Sequence, residues 1–220
     1  FRQRRAGSQL ENLREAERWL RRALANPERA RDERRRTLTQ NSLASVLRML
    51  AAWPGQDPAL LEEARRLLTE AVAASERFGP MFLHERARFL DTLGNLHLQL
   101  GQLDQALQFN RRAVAAARER LALVPGDREE RRVWVTFKCH LARRLVLRGR
   151  RTDLREAVEV AAELRREAPD DLADEVGMCE ALARRALGDP GRARAALEAT
   201  RIEGIAPEHR AEYVDLLAAL

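Results

Sequence analysis

The sequence predicts an all-α chain of about ten helices, on three observations. Its 220 residues are 45% hydrophobic and 34% charged but only 5% aromatic, a balance that suits a folded chain of long helices. Its 8 prolines and 11 glycines fall mostly between long Ala/Leu/Arg/Glu runs. Within those runs, apolar residues recur at the three- and four-residue intervals of a helix face.

Phe1-Arg2-Gln3-Arg4-Arg5 opens a basic lead, residues 1–7. It reads as a solvated end, with the cytoplasmic flank of an upstream membrane helix as the alternative. A start at Phe1 rather than Met suggests a piece of a larger protein. Nothing reads as a signal peptide, and no apolar stretch approaches the ~18 residues of a membrane span. Ser8, with Glu11 three positions on, is expected to cap helix 8–25. That helix carries Leu13, Ala16, Leu20, Ala23 and Leu24 on one stripe and a Glu17–Arg21 pair. Asn26-Pro27 breaks it. A second helix, 28–52, starts on the charged run ERARDERRR, supported by Asp32–Arg36. Its core stripe is Leu43, Val46, Leu47 and Leu50. The loop WPGQDP leads to helix 58–78, with Leu61, Ala64, Leu68, Ala71 and Val72 inward and Glu62–Arg66 paired. Helices 81–100 and 103–123 follow, then 128–148 after Pro125-Gly126-Asp127. Helices 154–168, 172–187 and 192–200 are separated by Pro169 and Gly188-Asp189-Pro190. A last helix, 207–220, puts Tyr213, Leu216, Leu217 and Leu220 on one side and is expected to cap the array.

The most ordered stretch is Leu90 to Ala113. It holds Leu90, Leu93-Gly94, His97, Gly101 and Ala106. This resembles a tetratricopeptide repeat (TPR), W-x2-L-G-x2-Y followed by A-x3-F, with Leu90 at the tryptophan position, His97 at the tyrosine and Asn110 at the phenylalanine. Gly94 would let a second helix approach, and Gly101 would end the first helix in a left-handed conformation. The small residues of successive second helices would be Ala16, Ala64, Ala106, Ala157 and Ala193, at spacings of 48, 42, 51 and 36. Pro169 follows Ala157 by twelve, the family interval. The resemblance is best over 87–123 and 131–169 and implies an α-solenoid, a right-handed superhelix of antiparallel helix pairs. It covers 8–220 as a single domain, with 206–220 as its cap. The insertions DPALLEEA and RTDLREA resemble those of bacterial arrays attached to larger signalling or defence proteins.

No chemistry is legible. His84-Glu85 begins like HExxH, but Arg88 stands where the second histidine would be. His84, His97, His140 and His209 are dispersed, and His97 reads as packing. Cys139 and His140, adjacent on a helix, point about 100° apart and form no catalytic pair. Cys139 and Cys179 form no CxxC and read as buried free thiols of a reducing compartment. There is no phosphate loop, GxSxG or framed carboxylate pair. The expectation is therefore a cytoplasmic, non-catalytic chain with no cofactor and no metal.

Charge is polarised along the chain. Residues 1–36 carry 12 Arg against 6 Asp/Glu, net +6. Residues 37–151 carry 19 basic against 12 acidic, net +7. Residues 152–220 carry 9 against 16, net −7. Two further expectations follow: self-association of an acidic end on a basic end, and nucleic-acid or anion binding through Arg143, Arg144, Arg148, Arg150 and Arg151. The second lacks interleaved aromatics for base stacking.

The resemblance implies that the first helix of each pair lines a concave face that binds a protein or peptide. Counting from the motifs, that face carries Asn41, Ser45 and Arg48, then Arg88, Asp91, Asn95 and Gln99, then Thr136, Arg143 and Leu147. Asn95 stands where members that hold a partner's terminal carboxylate carry asparagine. Asp91 stands where those members carry lysine, which argues against that ligand. Arg88, Asn95 and Arg143 suit an extended peptide offering backbone amides and acidic side chains.

Overall fold

The computed structural model describes the backbone of residues 2–26, 31–205 and 207–219, and their side chains apart from 2–8 and 208. The described residues are all-helical, with ten α-helices, four short 3-10 turns and no strand. In chain order the helices are α1 (Arg2–Ala25), α2 (Glu33–Ala51), α3 (Ala59–Glu76), α4 (Leu83–Gln99), α5 (Leu103–Leu123), α6 (Arg128–Arg148), α7 (Arg151–Glu167), α8 (Ala173–Leu187), α9 (Pro190–Glu198) and α10 (Arg210–Ala218). No described helix is long and apolar enough to cross a membrane.

The chain forms two compact units, Phe1–Ala116 and Ala117–Leu220, with the boundary inside α5. In the first, α1 packs on α2, α2 on α3 and α3 on α4, and α2 also touches α4. Its core is Leu43, Leu47, Leu50, Leu68, Leu90, Leu93 and Leu96. Phe78, Phe82 and Phe89 extend it edge to face, with centroids 4.8 and 6.0 Å apart. Offset and edge-on geometries suit the ring quadrupoles. Arg21 of α1 grips Glu63 of α3 through two 2.7 Å bonds while keeping the expected partner Glu17 at 2.8 Å.

In the second unit α6 packs on α7, α7 on α8 and α8 on α9, and α6 also touches α8. Trp134 is 1% exposed. The Arg118 guanidinium and the Lys138 ammonium lie 4.9 and 4.7 Å from its ring centroid. Lys138 is buried, and a desolvated cation over an indole is the strong form of this contact. Cys139 and Cys179 are buried free thiols, and a hydrogen bond with Cys179, then burial, pushes the Cys139 thiol well up.

The helix ends obey local chemistry. Gly101 (φ 73°) lets Gln102 N donate to His97 O at 2.8 Å and Gly101 N to Leu98 O at 3.0 Å. Gly188 repeats this pattern with Arg184 and Arg185. These paired bonds satisfy the last carbonyls of each helix, and glycine takes the left-handed position without a Cβ penalty.

Several boundaries differ from the sequence reading. α1 is already helical at Arg2, so Ser8 lies inside the helix; its side chain is outside the described residues. The expected start of the second helix at 28 falls on residues 27–30, also outside them. Asp32 caps α2, accepting from Arg35 N at 3.1 Å and pairing with the Arg35 side chain rather than with Arg36. Glu62 likewise pairs with Arg65, and Arg66 with Glu70. α7 starts three residues early because Gly149 turns left-handed and Arg150 is extended. Leu217 faces out at 48% exposure while Leu216 is buried, and Leu220 lies outside the described residues.

Two glycines mark close approaches. A Cβ on Gly177 of α8 would overlap Thr200 Oγ1 and lie 3.5 Å from the Ala196 carbonyl. A Cβ on Gly204 would overlap the Asp174 carboxylate and sit 2.8 Å from Asp174 Cβ. Glycine to alanine inside a helix ordinarily stabilises by about 1 kcal/mol. Gly177→Ala is expected to do the reverse, lowering stability by about 1–3 kcal/mol through overpacking against a buried threonine. Urea unfolding of that variant checks the sign.

Candidate functional site

The residues implied for a binding face divide between the units. Seven lie in the first, on α2 (Asn41, Ser45, Arg48) and α4 (Arg88, Asp91, Asn95, Gln99), which pack against each other. Gln99 is exposed and donates to the Arg48 carbonyl at 3.3 Å. Arg88 is exposed at the other end of α4. Ser45 is half-buried, its hydroxyl bonded to Asn41 O at 3.0 Å. Arg48 is also half-buried. Burial lowers its guanidinium's pKa and the nearby Asp91 charge opposes this.

Asp91, expected on the binding face, is buried. It is 7% exposed, and its two oxygens accept from Asn95 Nδ2 at 3.0 Å and Asn110 Nδ2 at 2.9 Å. Asn110 is fully buried on α5. The carboxylate thus ties α4 to α5 and orients Asn95 from behind. Asp91 and Asn110 form one buried polar pair. Phe109 stacks on His97 at 5.0 Å and 19°, and His97 Nδ1 lies 2.6 Å from Gln102 Oε1. His97 is packing, as its position suggested.

The other three residues lie on α6 in the second unit. Thr136 and Leu147 are exposed, Leu147 by 61%. Arg143 is committed internally. Its Nη2 bonds Glu175 Oε1 of α8 at 2.9 Å, and its Nη1 pairs with Glu212 of α10. His209 Nδ1 bonds the same Glu175 oxygen at 2.9 Å. Burial pushes the Glu175 pKa up, but the His209 hydrogen bond and the Arg143 charge outweigh it and hold the carboxyl at about 2.

This cluster lies beside a pocket of about 290 Å³ whose lining includes Arg132, Thr136, His140, Asp171, Glu175 and His209. Arg132 pairs with Asp171 across it. Its charges of both signs are largely engaged with one another. Thr136 and Arg143 were singled out from sequence, but the partners that surround them were not legible there. Glu175 and Glu212 lie 32 and 69 residues from Arg143, and no periodic signal links positions so distant.

The remaining arginines are also largely absorbed. Arg148 binds the buried Asp153 through two 2.6 Å bonds, and Arg144 is 3% exposed. Of the five, only Arg150 and Arg151 are exposed. Among the described residues, no group of three or more His, Cys, Asp or Glu side chains could hold a metal ion.

No family model matches the chain, and no curated protein matches it.

Proposed function

We propose that both units are runs of TPR-like helix pairs, and that the chain is a non-catalytic protein-interaction scaffold. On this reading, α2 and α4 are the first helices of successive pairs. The observation that carries it is that α2 contacts α4 directly as well as α3, repeated when α6 contacts α8 as well as α7. Next-but-one contact between helices is what stacking of helix pairs requires. The α2–α4 face then offers Asn41, Ser45, Arg48, Arg88, Asn95 and Gln99 to an extended peptide. Arg88 would meet acidic side chains, and the amides of Asn95 and Gln99 would meet the peptide backbone. Asp91 supports this face from below. A cytoplasmic setting within a larger bacterial signalling or defence protein fits the reading.

The test is selection from a random peptide display library, followed by fluorescence anisotropy on the selected sequences. Selected peptides are expected to be rich in acidic residues. Arg88→Glu is expected to weaken them at least tenfold, about 1.4 kcal/mol, while Arg150→Glu leaves them within about twofold. Equal loss with both variants would point to unspecific anion attraction and sink the groove.

A further inference from the structure

α10 is unsuited to be the cap of a helical array. A terminal helix must turn a polar outer face to water. At 100° per residue, the apolar side chains of Arg210–Ala218 cover an arc of about 220°, broken only by Arg210 at the first position. One side of that arc is used: Leu216 is buried with Ala181, Ala196 and Leu197, and Tyr213 packs against them. The other side is open. Val214 is 52% and Leu217 48% exposed, with exposed Ala211 and Ala218 beside them. A helix apolar around most of its circumference is the pattern of one covered on both sides.

A matching surface lies on α1. Glu15, Arg18, Trp19 and Arg22 fall at i, i+3, i+4 and i+7 and so share one face, where they line a shallow dent of about 180 Å³. Trp19 is 60% exposed. The Arg22 guanidinium sits 5.5 Å from the Trp19 ring centroid, and the indole N–H donates to Glu15 at 3.4 Å. Tryptophan and arginine are the residues most enriched at the energetic centres of protein interfaces. The charges are opposite. α1 carries seven Arg against three Glu, whereas residues 202–220 carry four acids against one Arg. Asp215, exposed at the border of the Val214–Leu217 patch, is suited to meet Arg18 or Arg22.

We propose that the chain associates head to tail, the Trp19 face of α1 on one copy seating on the Val214–Leu217 face of α10 on the next copy. The two faces differ, so the contact is heterologous, and repetition extends it into rings or open chains. One helix face on another buries less than a standard interface, so the association is weak and strengthens at low ionic strength. It uses none of the α2–α4 residues, and its failure leaves the peptide reading untouched.

Sedimentation velocity of the 220-residue chain over micromolar to millimolar concentrations, at low and high salt, tests this with Trp19→Glu and Leu217→Asp. Both substitutions are at exposed positions, and circular dichroism checks that each variant is folded. The parent is expected to form concentration-dependent oligomers that dissociate as salt rises. Each variant alone is expected to associate at least about tenfold more weakly. Mixed together, the variants are expected to stop at a one-to-one complex, because each retains one intact face. A parent that stays monomeric throughout overturns the proposal. So does association lost with Leu217→Asp but kept with Trp19→Glu, which would mean a symmetric α10–α10 contact.

Discussion

Replacing Asp91 by alanine is expected to destabilise the first unit by about 3 kcal/mol, the cost of stranding buried polar groups that had been paired. Asn110 is fully buried and would lose its acceptor. Asn95 would lose its anchor, and Arg48 its nearby countercharge. A double substitution separates the pair from its surroundings. Asp91→Leu with Asn110→Leu removes donor and acceptor together, so its cost is expected to fall well short of the sum of the two single changes, by about 1 kcal/mol or more. Urea unfolding of the four proteins measures that coupling. Additive costs would mean that the hydrogen bond contributes little. A second consequence concerns binding: Asp91→Ala leaves Arg88 in place but frees the Asn95 side chain. Peptides recognised through their backbone should therefore weaken more than a shift of charge alone would produce.

Glu175→Gln is expected to lower the stability of the second unit by about 2 kcal/mol at neutral pH, the linked value of its pKa depression discounted for partial exposure. The folded pKa, about 2, lies below the ordinary 4.5. Ionised Glu175 therefore contributes stability that is fully present above about 4.5 and is lost as pH falls towards 2. The gap between parent and variant should close over that window. Trp134, buried beneath Arg118 and Lys138 in the same unit, contributes a fluorescence signal that reports its unfolding. A gap independent of pH would assign the loss to packing rather than to the Arg143–Glu175–His209 cluster.

The all-helical class was legible because it follows from local chemistry. Asn26, Gly101, Gly149 and Gly188 stand at helix ends, and the apolar stripes keep helical spacing through Leu43–Leu50 and Ala64–Val72. The bounds of α5 and α6 and the packing role of His97 could likewise be read from spacing and turn residues. Errors arose where two local rules compete within one turn of helix. Asp32 could support Arg36 along a helix or cap the helix at Arg35, and only the chain's entry direction decides between them. The burial of Asp91 and the internal pairing of Arg143 escaped the sequence for a different reason. Periodicity says which residues share a side of a helix, but not whether that side meets water or another helix.

The sequence by itself therefore determined the helices, most of their ends, the free thiols and the polarisation of charge, since each depends on neighbours within a few residues. Tertiary structure alone decided which charges are spent internally. It turned Asp91 into the tie between α4 and α5, drew Arg143 to Glu175 and Glu212, folded Arg148 onto Asp153, and left Trp19, Val214 and Leu217 uncovered. The physical reason is that the free energy of a charge or an apolar side chain depends on how much water remains around it, and that is set by which helices pack together.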